Sequence, residues 1–315
     1  MAAWQTFQPE LLNQKVCRLL LGVHSKASRL AILGELGRYP VFVRAIIHAL
    51  KYNWHIENKV SKLSLVSLAL QEMKQMEDIE DGWYTRIEKI KHIFSIPEFN
   101  SQVKSETVGG KIKRQVESIF SIFWKSQISF QKIGDDGLNH NKLRMYQTLK
   151  GSFTLEPYLK LVSNRNQRSS ITRFRTSAHT LGVELGRYTV PPTPLNKRTC
   201  GYCGDHQVLG SQRPQIDDEF HCLMICPTFS IKRNCLFGKI SAVNHNFANL
   251  TAQQQMVTLL CPSNNKVAQL VNKFIKIVLE ARKRIDKGEN IDRGNFTDFE
   301  ANDNAVSDLD SEEQD

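Results

Sequence analysis

Cys200-Gly-Tyr-Cys203, followed by Asp217-Asp-Glu-Phe-His221-Cys-Leu-Met-Ile-Cys226-Pro227, has the ligand pattern C-x2-C-x17-H-x4-C. Two cysteines two residues apart can hold one metal ion from a tight turn. A histidine and a cysteine downstream can complete a tetrahedron. Three thiolates and one imidazole suit Zn2+, and a site whose four ligands all come from protein is structural rather than catalytic. The expected ligands are Cys200, Cys203, His221 and Cys226, stapling a small module. His206, Cys222 and Cys235 are the rivals for a ligand position. Asp217, Asp218 and Glu219 are placed to cap the turn bearing His221 or to orient its ring.

The other cysteines do not suggest a disulfide framework. Seven are present, five of them within residues 200–235, an odd and unevenly spaced set. The opening Met1-Ala-Ala-Trp lacks a charged segment and an apolar core, so no secretory signal is expected. The longest apolar runs are short and broken by charge, so no membrane span is expected. A reducing compartment, nuclear or cytoplasmic, follows from these readings.

Charge is unevenly spread along the 315 residues. The formal net charge is +10, yet residues 291–315 hold nine Asp or Glu and one Arg. Residues 1–290 therefore carry 41 Lys+Arg against 23 Asp+Glu, a formal +18. A body this basic points to a polyanion such as RNA or DNA. The stretch 288–315 is acidic and poor in large apolar residues, so disorder is expected there.

Upstream of the cysteines the pattern is helical. Apolar residues recur at helical spacing in 9–22, in a segment capped by Ser25 or Ser28 and running through Leu36, and in 41–54, 61–76 and 83–94. Gly109-Gly110 is expected to break the chain before an amphipathic helix over 111–133. Gly134-Asp-Asp-Gly137 reads as a solvated turn: no strand-borne carboxylate precedes it to complete a two-metal site. Short helical pieces are expected at 142–150 and 156–162, with further helices at 228–240, 251–260 and 264–286. No strand alternation precedes residue 190.

Residues 164–182 read as one helix with two faces. Ile171, Phe174, Ala178 and Leu181 form an apolar stripe. Arg165, Arg168, Thr172, Arg175 and His179 share another face, with Arg173 beside it. Arginine forks match phosphate oxygens, so Arg165, Arg168, Arg173 and Arg175 are candidate nucleic-acid contacts, with Arg187, Lys197 and Arg198 beyond them. Lys232 and Arg233 are expected to be exposed. Pro191-Pro192 and Pro194 form a stiff connector. The pentapeptide Glu-Leu-Gly-Arg-Tyr occurs at 35–39 and at 184–188, in both places as a helix ending at glycine. No phosphate-cradling glycine loop, nucleophile elbow or HExxH is present.

These residues carry a resemblance. Arg175-Thr-Ser-Ala-His179 with Leu181, Glu184, Gly186, Arg187 and Tyr188, then Arg198-x-Cys200-x-x-Cys203, then Glu219-Phe-His221 with Leu223 and Cys226, resemble the zinc-binding region ending jockey-like non-LTR retrotransposon reverse transcriptases. Leu19-Leu-Leu-Gly-Val23 and Gly34-Glu-Leu-Gly-Arg-Tyr-Pro40 resemble the helical segment preceding it. The resemblance spans about residues 10–240 and implies thumb-side helices and a zinc knuckle that engage RNA or DNA. No polymerase palm or aromatic-x-Asp-Asp signature accompanies it, so no polymerase, endonuclease or RNase H activity carries over.

The expected fold is mainly α. A helical region (1–163) leads to the basic helix and zinc module (164–240), C-terminal helices (241–287) and the acidic tail (288–315). The expected function is non-catalytic, zinc-containing nucleic-acid binding by a fragment of such an element. The alternatives are a scaffold for a protein partner and a transposon relic without a selected role.

Overall fold

The structure is a computed structural model that describes residues 8–75, 82–99, 102, 104–162, 164–203 and 215–287. The acidic segment 288–315 and the rival ligand His206 lie outside those residues. The described chain is mainly helical, and only isolated β-bridges occur outside the helices. Among the described residues no helix is long and apolar enough to cross a membrane. The chain folds into two compact units. One comprises Met1–Leu20, Arg29–Phe130 and Lys150–Leu155; the other comprises Leu21–Ser28, Gln131–Leu149 and Glu156–Asp315.

The first unit holds α1 (Gln8–Leu21, its last residue excepted), α2 (Arg29–Glu35), α3 (Val41–Asn58), α4 (Leu65–Gln75), α5 (Trp83–Ile93) and α6 (Ser105–Ser129). Its core lies between α3 and α6. On α6 the buried residues Val108, Ile112, Val116, Phe120, Trp124 and Ile128 come at every fourth position. Such a row drifts slowly around a 3.6-residue helix, so one long face meets Phe42, Val43, Ile46, Ile47, Leu50 and Trp54 of α3. Phe153 packs edge-on against Phe120 and Trp124, and the Trp124 indole N–H donates to the Leu30 carbonyl at 2.9 Å.

Gly109-Gly110 does not break the chain; α6 runs straight through it. A Cβ on Gly109 would come within 3.1 Å of the Lys51 side chain, so this glycine marks a close approach of α3 to α6. The break is at Gly37, which has φ +54 and ends α2, with the Arg38 N–H reaching the Leu33 carbonyl. The second copy of the pentapeptide differs, since Gly186 is right-handed at φ −63. Identical residues thus end two helices by different geometry.

The second unit contains α7 (Tyr146–Leu149), α8 (Tyr158–Leu161), α9 (Arg165–Arg175), α10 (Gly182–Leu185), α11 (Ser230–Ser241), α12 (Ala252–Leu260) and α13 (Asn265–Asp286). The last of these is its spine. Val267, Val271, Phe274, Ile275 and Val278 of α13 are buried in one core with Ile171 and Phe174 of α9 and Leu236 and Ile240 of α11. The helices of 241–287 therefore share a core with the residues of 164–240. Caps fix the starts of two helices: Thr251 and Gln254 form a capping box on α12, and the Asn264 side chain accepts from two N–H groups of α13.

The basic helix stops early. It ends at Arg175, not near residue 182, because Ser177 turns left-handed at φ 50 and the Ala178 N–H closes back on the Arg173 carbonyl. The Ser177 hydroxyl donates to Glu219 at 3.2 Å, which holds this non-glycine stop in place.

Candidate metal centre

Cys200 and Cys203 are presented by a short antiparallel crossing. Thr199 bridges Ile216; the Cys200 N–H donates to the Gln215 carbonyl at 3.1 Å, and the Asp217 N–H to the Arg198 carbonyl at 2.8 Å. This brings the start of the second half of the motif beside the first. A single π-helical turn, His221–Ile225, then spaces His221 from Cys226, and the Cys226 N–H donates to the His221 carbonyl at 2.7 Å. A π turn widens the helix and is common at functional sites.

The four side chains converge. One donor atom each from Cys200, Cys203, His221 and Cys226 lies within 4.8 Å of every other. Cys203 Sγ is 3.1 Å from His221 Nε2 and 3.4 Å from Cys226 Sγ, and Cys200 Sγ is 4.0 Å from Cys226 Sγ. Zinc–sulfur and zinc–nitrogen bonds of about 2.3 and about 2.0 Å give tetrahedral edges of about 3.5 to 3.8 Å. The observed separations bracket those edges, so the group can hold one metal ion.

Burial and mutual hydrogen bonding also shape the acidity of these thiols. The hydrogen bond with Cys226 and burial push the Cys200 thiol up to about 12, and burial pushes Cys203 up to about 11. The hydrogen bond from Cys200 lowers Cys226. Three sulfurs this close ionise together only beside a cation. Cys222 is not a member of the group; it is fully buried in the apolar core and its thiol is pushed up to about 12 by that burial. Cys235, on α11, is also outside it.

The acidic run divides its work. The Asp218 carboxylate accepts from the His221 N–H at 2.8 Å and so caps the π turn. Asp217 turns inward, accepting from the Gly182 N–H at 2.6 Å and from Arg282 of α13. Glu219 is fully buried against Arg144 at 2.9 Å and His179 at 2.8 Å. Burial alone raises its pKa; Arg144 and His179 outweigh that and hold it near 2. None of the three accepts from the His221 ring, whose Nδ1 has no hydrogen-bond partner among the described residues.

Arginines secure the surroundings. The Arg282 guanidinium lies 4.6 Å from the Tyr202 ring centre and 5.7 Å from that of Phe229. The Tyr202 hydroxyl donates to Asp286 at 2.9 Å. Arg233 is buried, contrary to expectation. Its Nη1 donates to the Cys226 carbonyl at 2.9 Å, which also accepts from the Phe229 N–H at 3.3 Å.

The candidate nucleic-acid contacts separate into three groups. Arg165, Arg173 and Lys197 are exposed. Arg168 is half-buried and donates to the Val162 carbonyl at 2.8 Å; Arg187, also half-buried, pairs with Glu184 at 3.0 Å and donates to the His140 carbonyl at 3.0 Å. Arg175 and Arg198 are interior. Arg175 is fully buried, paired with Glu156 at 2.6 Å and donating to the Leu260 carbonyl at 2.9 Å. Arg198 donates to the carbonyls of Val183 and Thr193, both at 2.8 Å. Thr172 and His179 are buried as well, so the predicted polar face of α9 meets protein over its second half. Arg282, Arg144, Lys26 and Lys142 were not singled out by sequence: each works with partners distant in the chain, and no local spacing marks it.

No family model, curated protein or solved structure matches this chain.

Proposed function

We propose that the chain is a non-catalytic nucleic-acid-binding protein whose second unit is stapled by a structural zinc ion. The convergence of Cys200, Cys203, His221 and Cys226 carries the reading. Three sulfurs and one imidazole favour a borderline-soft, tetrahedral ion, and four protein ligands leave no open position for substrate. Cys200, Cys203 and Cys226 would bind as thiolates and His221 through Nε2, and the ion would lock the crossing of 198–217 to the π turn. The formal +18 of residues 1–290 supplies attraction for phosphates. The resemblance to the end of a retrotransposon reverse transcriptase supports the same reading and makes the chain a derived fragment of such an element.

The test is a salt series on purified protein with RNA, single-stranded DNA and duplex DNA, with and without a chelator, beside elemental analysis. One equivalent of zinc and binding that weakens steeply with salt are expected. Protein free of zinc, or no binding at low salt, would overturn the reading.

A second reading, a scaffold for a protein partner, is favoured by a groove of about 370 Å³ in the first unit. Tyr52, Val66, Met73 and Trp83 line it, and each is exposed.

A further inference from the structure

We propose that the loop Leu21–Ser28, the outer side of α9 and Tyr188 form the surface that grips the backbone of single-stranded nucleic acid, with Lys26, Arg165 and Arg173 as the phosphate contacts and Lys142 holding the loop in place. The inference rests on the nucleic-acid reading above and locates it. Of the three contacts, only Arg165 and Arg173 stand out in the sequence.

The loop is held against α9 by its backbone. Gly22 has φ +67 and its carbonyl accepts from Arg173 Nε at 2.9 Å. A Cβ on Gly22 would meet the Ser169 Cβ at 3.0 Å and Arg165 Nε at 3.4 Å, so only glycine lets the chain lie this close to both arginines. Arg165 and Arg173 stand two turns apart on α9, and both are exposed. Lys142 ties the loop from the other side. Its ammonium donates to the Lys26 carbonyl at 2.8 Å and to the Tyr188 hydroxyl at 3.0 Å. The Lys26 ammonium sits 3.9 Å from the centre of the Tyr188 ring and is itself exposed. The Lys26 N–H donates to His24 Nδ1 at 3.1 Å, which leaves the proton of the neutral ring on Nε2, as a further donor.

The charge at this surface stays positive. Glu184 pairs with Lys142 at 3.4 Å, but Arg187 and Arg144 share that buried carboxylate, at 3.0 and 3.8 Å. Burial, then Lys142, Arg173 and Lys26, push His24 below its ordinary value, in keeping with cations converging on one spot. The chemistry that fits is a chain of phosphodiesters. Arginine forks and lysine ammoniums are spread over a surface longer than one anion, and Tyr188 is a half-exposed ring among them. Cations around an aromatic ring are how single strands are held without sequence readout.

The experiment uses the full chain and fluorescein-labelled oligo(dT) and oligo(U) of about 20 nucleotides. Lys26→Glu and Arg165→Glu should each weaken binding about tenfold and reduce the salt slope by about one unit. Lys266→Glu makes the same charge change at an exposed position on α13 and should stay within about twofold. Thermal melts of all three should match wild type, because none of these side chains is buried. Wild-type binding with unchanged affinity and slope in Lys26→Glu and Arg165→Glu would place the surface elsewhere while leaving the nucleic-acid reading intact. Equal weakening by Lys266→Glu would reduce the effect to net charge and overturn the site. Absence of wild-type binding would overturn both readings.

Discussion

Arg282 and Asp217, 65 positions apart, form a buried ion pair in which the guanidinium Nη1 lies 2.9 Å from each carboxylate oxygen. This pair joins the spine helix α13 to the crossing that presents Cys200. Removing one partner leaves the other charged and buried. Asp217→Ala or Arg282→Met should each cost about 3–5 kcal/mol, measured as the shift in urea midpoint. The double variant should cost less than the sum of the two. Full additivity would mean that the pair contributes nothing as a pair.

Metal content should separate ligands from bystanders. Cys203→Ser and His221→Ala should lose zinc on dialysis, whereas Cys222→Ser and Cys235→Ser should keep one equivalent. Cobalt substitution would report thiolate coordination independently. A Cys222→Ser protein that loses its metal would place Cys222 among the ligands.

Glu219 anchors Arg144, His179 and Ser177 in the interior. Glu219→Gln keeps the shape and removes the charge. It should destabilise by about 3 kcal/mol, because Arg144 then keeps only the more distant Glu184, at 3.8 Å and shared with Arg187 and Lys142, as a counter-charge. Chemical denaturation of the zinc-loaded protein measures it, and a loss below about 1 kcal/mol would show that water satisfies Arg144 instead.

Two glycines of the first unit should respond in opposite senses. Gly37 has φ +54 and is crowded by the backbone of Thr154 and Leu155, so Gly37→Ala should destabilise by more than about 1 kcal/mol. Gly110 lies within α6 with nothing near its missing Cβ, and Gly110→Ala should stabilise by about 0.5–1 kcal/mol. Thermal midpoints decide both.

Arg175→Met tests the reassignment of a residue from surface to interior. Its pairing with Glu156 and its bond to the Leu260 carbonyl predict a loss of about 3–5 kcal/mol in stability. At temperatures where the variant stays folded, oligonucleotide affinity should remain within about twofold of wild type. A tenfold loss of affinity with unchanged stability would return Arg175 to the surface.

The Cys3His group was legible because its chemistry is local: two cysteines in one turn, and a histidine and a cysteine across another. Long helices such as α6 and α13 were legible because a buried face repeats over many turns. Arginines were not. Arg165 and Arg175 have the same chemistry at helical spacing on one element, yet the partners of Arg175 come from residue 156 and from residue 260. Periodicity reports that a face is polar, and it is silent on whether water or protein answers it. Arg233 was misread for the same reason, since its carbonyl partners lie on the ligand turn. Gly109-Gly110 looked like punctuation because a sequence cannot distinguish a glycine that ends a helix from one that admits a neighbour.

The clamp of α13 on the cysteine-bearing turn limits how portable that turn is. A free-standing zinc finger can be cut out and grafted, because metal and a few residues complete its fold. Here Arg282 and Asp286 reach back to Asp217 and Tyr202 from the far end of the unit. A peptide of residues 198–229 would hold all four ligands but lack the groups that bury Asp217 and cover Phe229. The smallest transplantable piece therefore runs to the last turn of α13, and a shorter excision would carry the Cys3His group without the contacts that fix this shape.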